Sequence, residues 1–155
     1  MLHTRARHEK KLAEKCGGIG APFFLPTRTS LRRYRGRTSE VQIPLFPGYI
    51  FCRFSQEKRQ SILCTRHVAR IIRVPDQDGL LGELLQIERA LEAGAPLEPH
   101  PCVKRGTHVR IRSGPFKDIE GVVSRRRNRH RIVLGITFIG KATSLEVGLD
   151  MIEPV

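Results

Sequence analysis

The sequence predicts an α+β protein in two parts: an antiparallel sheet with flanking helices over residues 1–93, and a small β-barrel over residues 102–155. Three features of the chain carry that expectation. Ala93-Gly94-Ala95-Pro96-Leu97-Glu98-Pro99-His100-Pro101 places three prolines within six residues. Proline fixes φ and removes a backbone donor, so neither a helix nor a central strand continues through this segment, which reads as a linker over residues 94–101. Before it, helical and strand-like periods alternate. After it, short apolar runs separated by turn residues show no helical period, and closure into a bent barrel is the natural arrangement for so few short strands.

In the first part, Arg7 to Lys15 reads as a helix, with Leu12 and Cys16 four apart on one face and Gly17-Gly18 as its stop. Residues 21–25 form a short apolar strand closed by Pro26. Residues 27–40 are basic and polar, an exposed hairpin or loop carrying Tyr34 and Gly36. Pro47-Gly48 turns the chain into Tyr49-Ile50-Phe51-Cys52-Arg53-Phe54, a dense apolar run of strand length. Ser55 stands where it would cap a helix over residues 56–64. Val68 to Val74 reads as a strand, and Leu80, Leu81, Leu84, Leu85 and Leu91 give a third helix ending near Gly94. In the second part the strand expectations are residues 103–112, 121–126, 131–138 and 145–147.

Composition narrows the function classes. The 155 residues carry a formal net charge of +13 and a pI near 10.6, an excess that favours contact with polyanions. Residues 1–37 hold ten Lys or Arg against two acids, and residues 125–131 hold five arginines. These two clusters are the candidate nucleic-acid surfaces. No apolar run reaches membrane-span length and no secretory pattern opens the chain, so the protein is expected to be soluble and cytoplasmic. Cys16, Cys52, Cys64 and Cys102 lack any Cys-x-x-Cys pair and are expected as reduced thiols. Cys64 with His67 is the one spacing that begins a metal site, and no second pair accompanies it. No phosphate loop, nucleophile elbow or paired carboxylate cluster is present, so neither an enzyme nor a bound cofactor or metal is expected.

Two motifs are specific. Residues 109–123 (VRIRSGPFKDIEGVV) place alternating apolar strands around a Gly114-Pro115 turn, with Phe116 and Ile119 able to tuck beneath it. Gly121 marks a conformation or a close approach that a Cβ would block. This run resembles the KOW motif, shared by NusG-type factors and certain ribosomal proteins, and the resemblance implies an SH3-like barrel. Residues 43–54 (IPLFPGYIFCRF) resemble the central strand of the NusG N-terminal domain. Residues 7–12 resemble the opening of its first helix, residues 65–74 a later turn and strand, and residues 138–147 the end of its KOW domain. The resemblance covers nearly the whole chain in the right order. One departure is that only Met1 precedes the segment Leu2-His3-Thr4, where family members have a full first strand; a late start or a shortened sheet edge is expected.

The resemblance implies a transcription elongation or antitermination factor, either the housekeeping protein or a specialised paralogue. RNA polymerase would be bound through Phe46, Tyr49 and Phe51, of which Tyr49 and Phe51 share one strand face. Upstream or non-template DNA would be met by Arg5, Arg7, Lys10, Arg66 and Arg70, with Arg32 and Arg33 of the basic cluster beside them. A second partner, a small-subunit ribosomal protein or Rho, would be recruited through Phe116, Phe138 and Ile139. The alternative, a KOW-containing ribosomal or RNA-binding protein, explains the charge and the KOW run but leaves the Pro-Gly-Tyr-Ile-Phe strand and the proline segment without a role.

Overall fold

The computed structural model describes residues 1–101, 106–126 and 129–155, with the side chains of Pro101, Arg125, Arg126, Arg129, His130, Phe138 and Leu149 outside that description. The chain is mixed α/β, with antiparallel sheets and, among the described residues, three α-helices, and it divides into two units, Met1–Pro75 and Asp76–Val155.

The first unit is built on a four-stranded antiparallel sheet. Its strands are β1 (Leu2–Thr4), β2 (Phe23–Phe24), β5 (Tyr49–Cys52) and β6 (Val68–Ile71), in the order β2-β5-β1-β6. Helices α1 (Glu9–Gly18) and α2 (Gln56–Cys64) accompany it. Alternation along β5 sends Ile50 and Cys52 into a core with Leu2, Leu12, Ala13, Cys16, Ile62 and Val68. The neighbouring Cys16 thiol, together with burial, pushes the Cys52 thiol up. Helix α1 starts two residues later than its periodicity predicts because Arg7 has φ 62°, outside helical space. It also runs through Gly17-Gly18; the stop is Gly20, which is left-handed at φ 70° and donates its N–H to the Gly17 carbonyl.

Strand β1 corrects one expectation. Leu2 pairs with Ile50 on one side and Ile71 on the other, so this short strand lies inside the sheet and is not a shortened edge. Leu2 is completely buried. The polar run at residues 27–40, extended by residues 41–44, forms a two-stranded hairpin of its own, β3 (Thr27–Tyr34) and β4 (Arg37–Pro44). Arg35 (φ 47°) and Gly36 (φ 78°) supply the two positive-φ residues of a tight hairpin turn.

The second unit opens with helix α3 (Gln77–Glu92), whose N-cap Asp76 accepts the Gly79 N–H at 2.8 Å. Strands β7 (Glu98–Pro101), β8 (His108–Ile111), β9 (Glu120–Arg126), β10 (Arg129–Ile136), β11 (Lys141–Glu146) and β12 (Ile152–Pro154) make one antiparallel sheet ordered β12-β8-β9-β10-β11-β7. Among the described residues no pairing joins β12 to β7, so the sheet is open where a closed barrel was expected. One edge is the proline segment itself. Residues 98–101 pair with β11, and prolines stand in a strand only where no further neighbour needs their missing N–H. The segment read as a linker therefore carries an edge strand.

Three consecutive residues of β10, Ile132, Val133 and Leu134, are buried, which requires cover on both faces. Helix α3 packs on β10 and supplies it. The Glu83 carboxylate accepts the Thr137 N–H at 3.1 Å and Gln86 Oε1 accepts the Glu120 N–H at 3.1 Å. Gly121 of the KOW-like run is a close approach: a Cβ there would lie 2.4 Å from Ile132 Cγ2 and 2.7 Å from the Val133 carbonyl oxygen. Ile119 is buried and Phe116 half-buried.

Candidate nucleic-acid interface and aromatic face

The β1–α1 loop and the α2–β6 turn meet at one corner of the first unit. Arg5 donates its N–H to the His67 carbonyl at 2.9 Å, and the rings of His8 and His67 touch edge to face with Nδ1 atoms 3.0 Å apart. One ring donates and the other accepts, so the contact needs at least one neutral imidazole. His67 is held below the usual histidine range by desolvation first, then by the positive field of His8, Lys11, Lys15 and Arg5. Each histidine follows an arginine in the left-handed region, Arg7 at φ 62° and Arg66 at φ 60°. Two non-glycine residues in that sparsely populated conformation persist because the surrounding hydrogen bonds over-determine the loops; such strain is concentrated at binding sites.

This corner joins the segments that carry Arg5, Arg7, Lys10, Arg66 and Arg70, all exposed. Arg70 arrives through its register opposite His3. Arg32 and Arg33 are placed elsewhere, on the β3–β4 hairpin opposite Ser39 and Thr38. The second basic cluster divides differently. Arg131 is held by Glu146 at 2.6 Å and Glu98 at 3.1 Å, an ion-pair network that fastens β10 to β11 and, beyond it, to β7, whereas the other arginine side chains of 125–131 lie outside the described residues.

The second face of β5 is aromatic. Phe51 packs edge-on against Phe46 at 6.1 Å between centroids and lies 6.5 Å from Phe24, and Tyr49 leans on His3 at 5.2 Å. Phe46 and Phe51 are 2% and 4% exposed, while Tyr49 is half-buried at the rim. A residue the sequence reading passed over orients this strand. Glu9, buried at the start of α1, accepts the Gly48 N–H at 2.8 Å and so ties the helix to the Pro47-Gly48 turn. A lone glutamate in a helical first turn carries no sequence signal for a partner thirty-nine residues away. Glu9→Ala leaves that N–H unpaired, and a loss of about 1–3 kcal/mol in urea denaturation is expected.

In the second unit Phe116 and Ile139 are half-buried on separate turns, and the Phe138 side chain lies outside the described residues. Residues 137–139 form a 3-10 turn ended by Gly140 at φ 62°. Cys64 and His67 have separate partners, the Gln60 amide at 3.7 Å and His8.

A family model described as transcription termination factor nusG matches residues 1–87. The chain belongs to the NusG family. A transcription termination/antitermination protein NusG from Pseudomonas aeruginosa is 21% identical over 178 aligned positions, spanning all of this chain and 97% of that protein. The NusG match includes the whole first unit, hence both the basic corner and the aromatic face, and ends within α3. No helix among the described residues is long and apolar enough to cross a membrane.

Proposed function

We propose that this NusG-family protein is an elongation or antitermination factor that binds RNA polymerase through the aromatic face, meets nucleic acid through the basic corner, and recruits a second partner through its second unit. The observation that carries the reading is the division of labour across β5: Ile50 and Cys52 fill the helix-side core, leaving Tyr49, Phe51 and Phe46 on the other face. An aromatic cluster rimmed by a half-exposed tyrosine fits a partner that inserts apolar side chains. Phe46 and Phe51 are buried in this structure, so docking requires that face to open, whereas Tyr49 is reachable without it. Binding that favours the elongating state of polymerase acts by differential affinity, with no bond made or broken.

Residues 1–93 act as the polymerase-binding domain, residues 94–101 connect it, and residues 102–155 act as an SH3-like KOW domain whose Phe116, Phe138 and Ile139 meet a small-subunit ribosomal protein or Rho. Arg5, Arg7, Lys10, Arg66 and Arg70 contact upstream or non-template DNA phosphates. The protein works in the cytoplasm as a monomer and without a cofactor.

The test is binding of the full chain to core RNA polymerase. Tyr49→Ala is expected to weaken it by about 2 kcal/mol, roughly thirtyfold, while thermal stability changes little. Unchanged affinity in a folded Tyr49→Ala chain removes the docking reading. Ribosome association by the wild-type chain, with no polymerase binding, would favour the KOW-containing ribosomal or RNA-binding alternative.

A further inference from the structure

We infer that the β3–β4 hairpin is a finger for single-stranded nucleic acid, in which the Tyr34 ring stacks on an unpaired base and the surrounding arginines hold the adjoining phosphates. The inference rests on the nucleic-acid half of the reading above and is independent of polymerase docking. Every residue from Leu31 to Glu40 is exposed, and among the described residues the hairpin shares no sheet with any other strand. An isolated two-stranded ribbon is marginal in water, so a protruding one of eight residues per strand is best explained by a partner. Its charge names that partner's chemistry. Arg32, Arg33, Arg35 and Arg37 stand against Glu40 alone within residues 31–40.

The placement of the tyrosine narrows the partner further. Tyr34 and Arg37 are the pair that closes the turn, and Tyr34 is 70% exposed. Alternation puts Arg32 and its partner Ser39 on the same ribbon face as Tyr34 and Arg37, with Arg33 and Thr38 on the opposite one. The Arg35 guanidinium lies 5.3 Å from the Tyr34 ring centroid, a cation–π contact that orders a side chain otherwise free in solvent. Four arginines alone would serve any phosphate backbone. A large exposed ring flanked by two of them serves a base whose π-face is free, and in a duplex that face is already stacked on its neighbours. The left-handed Arg35-Gly36 turn keeps the ribbon narrow at its tip, so the ring is presented at the end of the finger.

The experiment uses the full chain and measures fluorescence anisotropy with a dye-labelled oligothymidylate and, separately, a mixed-sequence DNA duplex. Tyr34→Ala is expected to weaken oligothymidylate binding roughly tenfold while duplex binding stays within about twofold, and Tyr34→Phe to retain both. Arg32→Ala/Arg37→Ala is expected to weaken both probes and flatten the dependence of affinity on salt. Oligothymidylate binding unchanged in Tyr34→Ala, or an equal loss on the duplex, overturns the inference and leaves the basic corner as the nucleic-acid site. A wild-type chain that binds neither probe overturns the inference together with the nucleic-acid half of the proposed function. Polymerase affinity of the same variants, which keep Tyr49 and Phe51, reports separately on docking.

Discussion

Gly121→Val is expected to destabilise the second unit by about 3 kcal/mol, at the upper end of what overpacking costs. The modest substitution has this effect because of where the first added atom falls. A Cβ at position 121 lies 2.7 Å from the Val133 carbonyl oxygen, a backbone atom of β10 that cannot rotate away, and 2.4 Å from the fully buried Ile132 methyl. Relief requires β9 and β10 to separate, which strains the ladder that pairs Val122 with Val133 and Val123 with Ile132. Two further methyls of valine extend the clash. The check is native-state amide exchange. Amides of β8, β9 and β10 should exchange on the order of a hundredfold faster, while those of β1 and β5 keep their protection. Unchanged protection in β9 would mean that the sheet has room the geometry denies. Gly114, at φ 87°, is a different kind of glycine, needed for its backbone angle, and its replacement by alanine is expected to cost about 1–2 kcal/mol.

That difference illustrates what was legible beforehand. The demand for glycine at 121 was readable from the alternating strands around it, although only the structure distinguishes a close approach from a left-handed turn. Helix α2 coincides with its predicted span because its polar residues and flanking breaks are local signals. Yet Ser55 makes no side-chain capping bond, so the boundary was right for a reason other than the one that predicted it. The edge strand at residues 98–101 was hidden because its prolines argue against a strand unless its place at a sheet edge is known. The burial of Leu2 on a central strand was hidden because three residues show no period.

The basic corner was half legible. Arg5, Arg7 and Lys10 stood out within the basic run of residues 1–37, whereas Arg66 and Arg70 were added by the family resemblance alone. The feature that builds the corner, one histidine ring against another across fifty-nine residues, depends on a fold-level meeting of two loops. Nothing in the local sequence around His8 or His67 announces it. The same holds for Glu9 and Gly48. Long-range polar contacts of this kind are single residues with no repeat, and periodicity, the strongest signal in a lone sequence, is silent about them.

Ile50→Ala should lower the stability of the first unit by about 3–4 kcal/mol. Ile50 is completely buried, pairs with Leu2, and packs in the core that also holds Leu12, Cys16 and Ile62, so the lost methyls leave a cavity that helix and sheet together enclose. Both tyrosines of the chain, Tyr34 and Tyr49, lie in this unit and there is no tryptophan, so tyrosine emission during urea titration follows this unit's unfolding. The midpoint should fall with little change in slope. Its neighbour supplies the contrast. Tyr49 sits one residue away on the opposite face, half-buried, and its truncation should leave stability nearly unchanged while weakening polymerase binding. If instead Ile50→Ala weakened polymerase binding in proportion while remaining fully folded, the two faces of β5 would not be doing separate jobs, and the assignment of docking to the Tyr49 side would have to give way.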